Sequence, residues 1–199
     1  MSRTTTRRVK NEDDELLIRK TLKGEKDSFE ILVLRYQKRI FNIIYRVTRE
    51  ESIVADLAQE SFLKAYRGLD KFDFKASFYT WLVRIAINTS LNHVSSRQRN
   101  PLAGTEELDS YVGTSAQFSE AGARSSNPEH EVLRNEQAAS IRQAIDSLAE
   151  DLRVSIMLRE VEGLSYEEIA EVMECPVGTV RSRIHRARKE LQEKLKPLL

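Results

Sequence analysis

The sequence predicts an all-α protein: two small helical domains joined by a flexible linker. Three observations carry that expectation. Apolar residues recur at three- and four-residue spacing in both halves, and no segment requires a strand. Aromatics make up 7% of the 199 residues and charged residues 32%, with seven Gly and four Pro, a mixture that suits helices better than sandwiches or barrels. Between the halves, residues 100–126 carry Gly104, Gly113 and Gly122 among many Ser and Thr, with four acids against one base. A structureless stretch of that length is unusual inside one compact domain and reads as a linker.

In chain order, residues 1–11 read as a disordered basic tail, and a short helix is expected from Glu12 to about Leu22, stopped by Gly24. Asp27 and Glu30 have capping-box spacing ahead of Phe29, Leu32, Val33, Tyr36, Ile40, Ile43, Ile44 and Val47. Ser52 is the expected cap of a third helix reaching Leu69, with Val54, Leu57, Ala58, Phe62, Ala65 and Tyr66 on its apolar side. After the loop 70–77, an aromatic-rich helix is expected from Phe78 to about His93. Pro128 and Glu129, after Ser126, reopen a helix that runs to about Asp146. Ser147 with Glu150, and Ser165 with Glu168, predict capping boxes for helices Ala149–Glu162 and Tyr166–Met173. A last helix is expected from Val177 to Lys194. The domains therefore read as 12–97 and 128–199, with the linker over 98–127.

Composition excludes several classes. Net charge is +1, so any affinity for nucleic acid has to be local. One cysteine, Cys175, forbids an internal disulfide and fits a reducing compartment. The first residues lack an apolar core of the secretory kind, and no apolar run is long enough to span a bilayer. His93, His130 and His185 are scattered, and neither a metal-ligand cluster, a phosphate-cradling Gly loop nor a nucleophile elbow is present. Neither an enzyme, a metal nor a cofactor is expected. Cys175 is read as packing in the turn of the C-terminal motif in preference to a redox role.

The C-terminal pair of helices has helix-turn-helix proportions. Val180, Ile184, Ala187 and Leu191 fall within a stripe about 60° wide on the last helix, which marks the buried face. Ser182, His185, Arg186 and Lys189 lie opposite, with Arg181 on the flank. From Arg181 to Lys189 there are five Arg or Lys and no acid. Arg forks onto guanine O6 and N7 in a major groove, and Ser or His donates or accepts at base edges. Arg183 and Arg188 sit nearer the margins, where phosphates lie. Gly178 and Thr179 offer backbone donors at the helix start.

Two further runs sharpen this. Leu164-Ser165-Tyr166-Glu167-Glu168-Ile169-Ala170, followed by Cys175-Pro176-Val177-Gly178-Thr179-Val180-Arg181-Ser182-Arg183, resembles region 4 of extracytoplasmic-function sigma factors of the sigma-70 family, sigma-E type. Asp56 to Tyr66 resembles their region 2.2, and Phe78 to Asn88 their regions 2.3 to 2.4. The likeness covers about 27–97 and 128–199 in the family's order.

The resemblance implies a sigma subunit that brings core RNA polymerase to promoters, with a −35 duplex read by the second domain and −10 DNA melted and held by the first. Carried over by position, −35 contacts fall on Arg159, Tyr166, Thr179, Arg181, Ser182, Arg183, His185, Arg186 and Lys189. Contacts to −10 DNA fall on Lys75, Ser77, Tyr79, Thr80, Trp81, Arg84 and Asn88. Aromatic and cationic residues together suit unstacked bases, although Phe78 reads as core and Trp81 fits core and DNA equally well. Asp56, Gln59 and Glu60 match positions that dock on the polymerase β′ clamp helices. The acidic linker fits a basic RNA path. An anti-sigma factor, membrane-anchored in many relatives, is the implied regulator, which would place the protein in the bacterial cytoplasm or at the inner membrane through that partner, in an envelope-stress response. No small-molecule substrate is implied.

Two departures from the family stand out. Relatives commonly carry Gly and then an acid where this chain has Phe74 and Lys75, which disfavours positive φ and reverses the charge. An altered −10 preference is expected. Ala149 replaces a common Pro, with little effect expected. The competing reading is a helix-turn-helix regulator that binds an operator alone, but residues 12–97 lack the βα alternation of a receiver domain.

Overall fold

The computed structural model describes residues 14–99 and 139–196, and every described element is helical. The basic tail, nearly all of the linker and the helix start expected at Pro128 lie outside the described residues.

The first unit is built from four helices. Helix α1, described over 14–22, buries Ile18 and ends at Gly24, whose φ is +100°. The Gly24 N–H donates to the Thr21 carbonyl and the Glu25 N–H to that of Lys20, a paired closure that needs a left-handed residue. Helix α2 follows at once, Lys26–Thr48. Its N-cap is Glu25 without a side-chain bond, so the expected Asp27–Glu30 box does not form. The glycine turn re-enters helix before Asp27, which is left in the first turn, where its charge suits the helix dipole.

Helix α3, Val54–Arg67, is entered through a 3-10 turn at Glu51–Ile53. Ser52 does not cap it. The neighbouring Glu50 carboxylate takes the hydroxyl instead, at 3.2 Å. The helix stops at Gly68, and Leu69–Lys71 forms a second 3-10 turn. Tyr66, expected inside, is half exposed and packs edge-on against Phe29 at 5.0 Å.

Helix α4, Phe78–Arg99, continues well past His93. No Gly or Pro interrupts residues 94–99, and Arg97 pairs with Glu50, tying the extension to the α2–α3 turn. Ser77 opens α4, its hydroxyl accepting the Thr80 N–H at 3.0 Å.

In the second unit, α5 is described over 139–146. The Ser147 hydroxyl donates back to the Ala144 carbonyl at 2.7 Å, so it closes α5 and forms no box with Glu150. Ala149 takes the N-cap of α6, Glu150–Glu160, which starts one residue later and ends two residues earlier than expected, before Gly163 turns at φ +69°. Helix α7, Tyr166–Val172, has the expected box: Glu168 N–H to Ser165 Oγ and Ser165 N–H to Glu168 Oε2. Helix α8, Val177–Leu195, starts after Pro176.

Helices α2, α3 and α4 pack on one another, as do α6, α7 and α8. The two units also meet, because α4 packs against α7. The buried apolar cluster runs unbroken from Leu32, Ile40, Leu82 and Ile87 to Leu158, Ile169, Val180 and Ile184. A smaller cluster of Leu148, Leu152, Ile156 and Ala187 fixes α8 on α6.

Below the core, a buried polar knot anchors α1. Asp14, 2% exposed, accepts from the Tyr36 hydroxyl and from Arg35. Burial and then the Asp14 carboxylate push the Tyr36 hydroxyl well above its ordinary range, so it remains a donor.

The two classes of helix start differ measurably. Ser165→Ala should cost about 1 kcal/mol in urea unfolding by removing the α7 cap. Asp27→Ala should cost only about 0.3–1 kcal/mol, the dipole share alone.

Candidate nucleic-acid interface

Helix α8 owes its position to its buried stripe. Val180, Ile184 and Ala187 are buried, and Leu191 is partly buried against α6. Arg181, Ser182, His185, Arg186 and Lys189 are consequently exposed on the opposite face, as the sequence predicts. Thr179 is half-buried at the helix start, where its N–H donates to the Pro176 carbonyl. The N-terminal end stays open around Gly178.

The five Arg and Lys residues from Arg181 to Lys189 divide into two groups. Arg183 is held within the protein, with Nε 3.0 Å from Asp151 and a second nitrogen 3.4 Å from the Cys175 sulfur. Arg188 pairs with Glu160 at 2.6 Å, which raises its pKa further. Both brace α8 against α6 and the turn. Arg181, Arg186 and Lys189 remain on the exposed face. Arg159 donates to the Leu164 carbonyl at 2.7 Å and stacks over Tyr166 at 4.9 Å, with Arg181 at 6.0 Å from the same ring. Tyr166 thus lies between two guanidinium groups at the edge of the basic face.

The second cluster lies on α4, and its surroundings differ. Arg84 is exposed and Asn88 half-buried. Trp81 is partly buried, packed on Phe72 at 5.2 Å and on Phe78 at 5.9 Å, while Phe78 is core. Tyr79 and Thr80 are buried. Tyr79 stacks on Tyr36 at 5.4 Å, carries the Arg39 guanidinium 3.7 Å from its ring centroid, and donates its hydroxyl to Glu162. Burial and then the Glu162 charge raise its pKa far beyond the usual tyrosine value.

Ser77 and Thr80 share a hydroxyl contact of 2.8 Å, and Thr80 Oγ1 donates to Glu168 at 3.2 Å. Asn88 donates to Glu174 at 3.2 Å. Glu162, Glu168, Glu174 and Arg39 are thereby part of the α4 surroundings and were not anticipated. Glu168 is recognisable as a capping residue, but its second oxygen bonds across the interface, a tertiary pairing that local spacing does not encode.

The loop before α4 carries Phe74 at φ +60°. The expected loss of left-handed geometry does not occur. The Phe74 ring packs on Phe72 at 4.9 Å and lies under the Arg19 guanidinium at 5.1 Å, contacts that offset the backbone strain. Lys75 is exposed and pairs with Asp73 at 2.9 Å, which lowers the Asp73 pKa and raises that of Lys75. On α3, Asp56, Gln59 and Glu60 are exposed, Glu60 pairing with Lys64 at 2.7 Å. Leu63, 45% exposed, stands one turn further on and was also missed. An exposed Leu among polar neighbours is the signal that could have marked it.

A braced helix-turn-helix with a single-signed exposed face, beside a second helical unit, defines a DNA-binding protein. Among the described residues no group of His, Cys, Asp and Glu is placed to hold a metal ion, and no helix is long and apolar enough to cross a membrane.

Comparison with known proteins narrows the class. A family model described as Sigma-70 region 2 matches residues 32–100, and one described as Sigma-70, region 4 matches 138–191. The RNA polymerase sigma-H factor of Pseudomonas aeruginosa is 47% identical, covering 94% of this chain and 96% of that protein. The ECF RNA polymerase sigma-E factor of Escherichia coli K12 is 43% identical with the same coverage. Among solved structures, the sigma factor RpoE of Bartonella quintana, crystallised with the anti-sigma factor NepR, is similar at TM-score 0.62 and 25% identity, over 84% of this chain and 96% of that one. CnrH, solved with the cytosolic domain of CnrY, shares the fold at TM-score 0.64, over 93% of this chain and 98% of that one.

The chain belongs to the sigma-70 family, as an RNA polymerase sigma factor of the ECF, sigma-E type. It is a transcription initiation factor and not an enzyme, and its partners are core RNA polymerase and promoter DNA.

The split among the α8 arginines has a thermodynamic consequence. Arg183→Ala should destabilise the protein by about 1 kcal/mol, because it removes a half-buried ion pair and a sulfur contact. Arg186→Ala, on the exposed face, should leave the thermal midpoint where it is. Differential scanning calorimetry distinguishes the two.

Proposed function

We propose that this sigma factor reads the −35 element as duplex with α8 and holds single-stranded −10 DNA on α4 and the loop before it. The carrying observation is the exposed face of Arg181, Ser182, His185, Arg186 and Lys189, set over a buried stripe and free of acids. The open helix start around Gly178, with Thr179 beside it, lies at the groove margin, where the free Gly178 N–H meets a phosphate. Arg159, Tyr166 and Arg183 support the reading helix from behind. On α4, Arg84 and Asn88 reach the strand backbone and base edges, Trp81 offers one ring edge, and Lys75 and Ser77 line the preceding loop. Tyr79 and Thr80 are buried and shape this surface from below.

Polymerase docks on α3. Asp56, Gln59 and Glu60 present polar groups to the β′ clamp helices, and Leu63 gives the patch an apolar centre, an arrangement common in protein interfaces. The protein works in the cytoplasm. An anti-sigma factor, anchored in the inner membrane, holds it until an envelope stress signal arrives. The sigma factor RpoE of Bartonella quintana, crystallised with the anti-sigma factor NepR, supports a regulator of this type.

Two measurements test the reading. Arg186→Ala should weaken binding to a −35 duplex by about 1–3 kcal/mol in fluorescence anisotropy, the value of one bidentate base contact. Unchanged affinity would remove α8 from the role. Gln59→Ala with Glu60→Ala should lower the affinity for core polymerase and run-off transcription while duplex binding stays intact. Parallel loss of both would indicate misfolding and not a docking surface.

A further inference from the structure

The loop before α4 is held in an unfavourable backbone conformation, and part of what holds it comes from α1. Three described residues other than glycine have positive φ: Arg49, Phe74 and Glu174. Arg49 closes α2 and Glu174 follows the C-cap of α7, both ordinary places for a left-handed residue. Phe74 stands in open loop. A bulky side chain at φ +60° is strained there. Such a conformation persists only where surrounding groups over-determine it.

The surrounding groups form a connected series. The Arg19 guanidinium lies 5.1 Å from the centroid of the Phe74 ring. Arg19 is itself aimed by Glu15, which accepts from two of its nitrogens at 2.9 and 2.6 Å. Helix α1 is pinned in turn by Asp14, which accepts from Tyr36 and Arg35 of α2. On the other side, Phe74 tilts against Phe72 at 4.9 Å, and Phe72 also packs on Trp81 at 5.2 Å. Arg19, Phe74, Phe72 and Trp81 therefore link α1 to the helix assigned to −10 DNA. The remainder of the loop is tied locally, with the Asp73 carboxylate accepting the Lys75 N–H at 3.1 Å and Ser77 capping α4.

We propose that Arg19 and Phe74 are a positioning pair for −10 recognition: Arg19, from α1, clamps the Phe74 ring and so holds the loop in the shape that accepts a single-stranded base, without touching DNA itself. This rests on the reading of α4 and its loop given under Proposed function. A loop set before the strand arrives spends less of the binding free energy on ordering. The two side chains are coupled through the backbone they restrain. Glycine at position 74 would take the same φ without strain, and the clamp would then have nothing to hold.

The test uses the holoenzyme reconstituted with core polymerase, in run-off transcription on a promoter library with a constant −35 element and randomised −10 bases. Arg19→Ala should flatten the −10 base preference by about 2- to 5-fold, the size of one exposed cation–ring contact. Binding of the free chain to a −35 duplex should not change, which shows that the variant is folded. Arg19→Lys keeps the cation and should keep most of the preference. In a Phe74→Gly background, Arg19→Ala should have no further effect. An unchanged preference in Arg19→Ala would overturn the clamp. So would an equal change in both backgrounds, because Arg19 would then act on DNA directly and not through Phe74. A wild-type holoenzyme without any −10 preference would overturn the reading of the loop itself, and the clamp with it.

Discussion

The structure depends on one constraint: α4 is packed from more than one side. Leu82, Val83, Ala86 and Ile87 are buried with α2 and α3, while Tyr79 and Thr80 face the second unit. A helix surrounded in this way has few positions left for solvent, and those few include Arg84 and Asn88. The loop before α4, the stacking of Tyr36 on Tyr79 and the seat of α7 all follow from where α4 lies. Because its donors are taken by carboxylates of the second unit, the contact between the units is selective as well as apolar. Buried polar groups of this type cost stability unless every partner is present.

Much of the architecture was legible in the sequence because it is local. The faces of α8 follow from residue spacing alone, and Ser165 with Glu168 forms the box its spacing suggests. The same spacing failed at Asp27 and at Ser147 for a definite reason. In both cases the preceding turn supplied another solution: a glycine-closed helix end before Glu25, and the Ala144 carbonyl as an acceptor for Ser147. Ser52 lost its role to a nearby carboxylate in the same way. A capping pattern states which bonds are available, and the neighbouring backbone decides which are used.

The candidate site was legible to the same limit. Exposure of Arg181, Arg186 and Lys189 was predictable from the stripe opposite them. That Arg183 and Arg188 act as braces was not, since Asp151 and Glu160 are distant in sequence and nothing local points to them. Nor did any pattern connect Glu162 with Tyr79, which are separated by 83 residues. Pairings across an interface depend on how two finished units meet, and their cost and gain are invisible to a window of eighteen residues.

The turn at Phe74 carries a wider implication. Its left-handed backbone is kept by an aromatic side chain wedged between Phe72 and Arg19, where glycine would have adopted the same conformation unaided. Backbone path and side-chain chemistry are therefore separable in this loop. One can be conserved while the other drifts, as long as a neighbouring helix supplies the compensating contact. Arg19 on α1 provides it here. The N-terminal helix thus takes part in fixing the path of this loop, and substitutions on α1 reach the loop through that one contact.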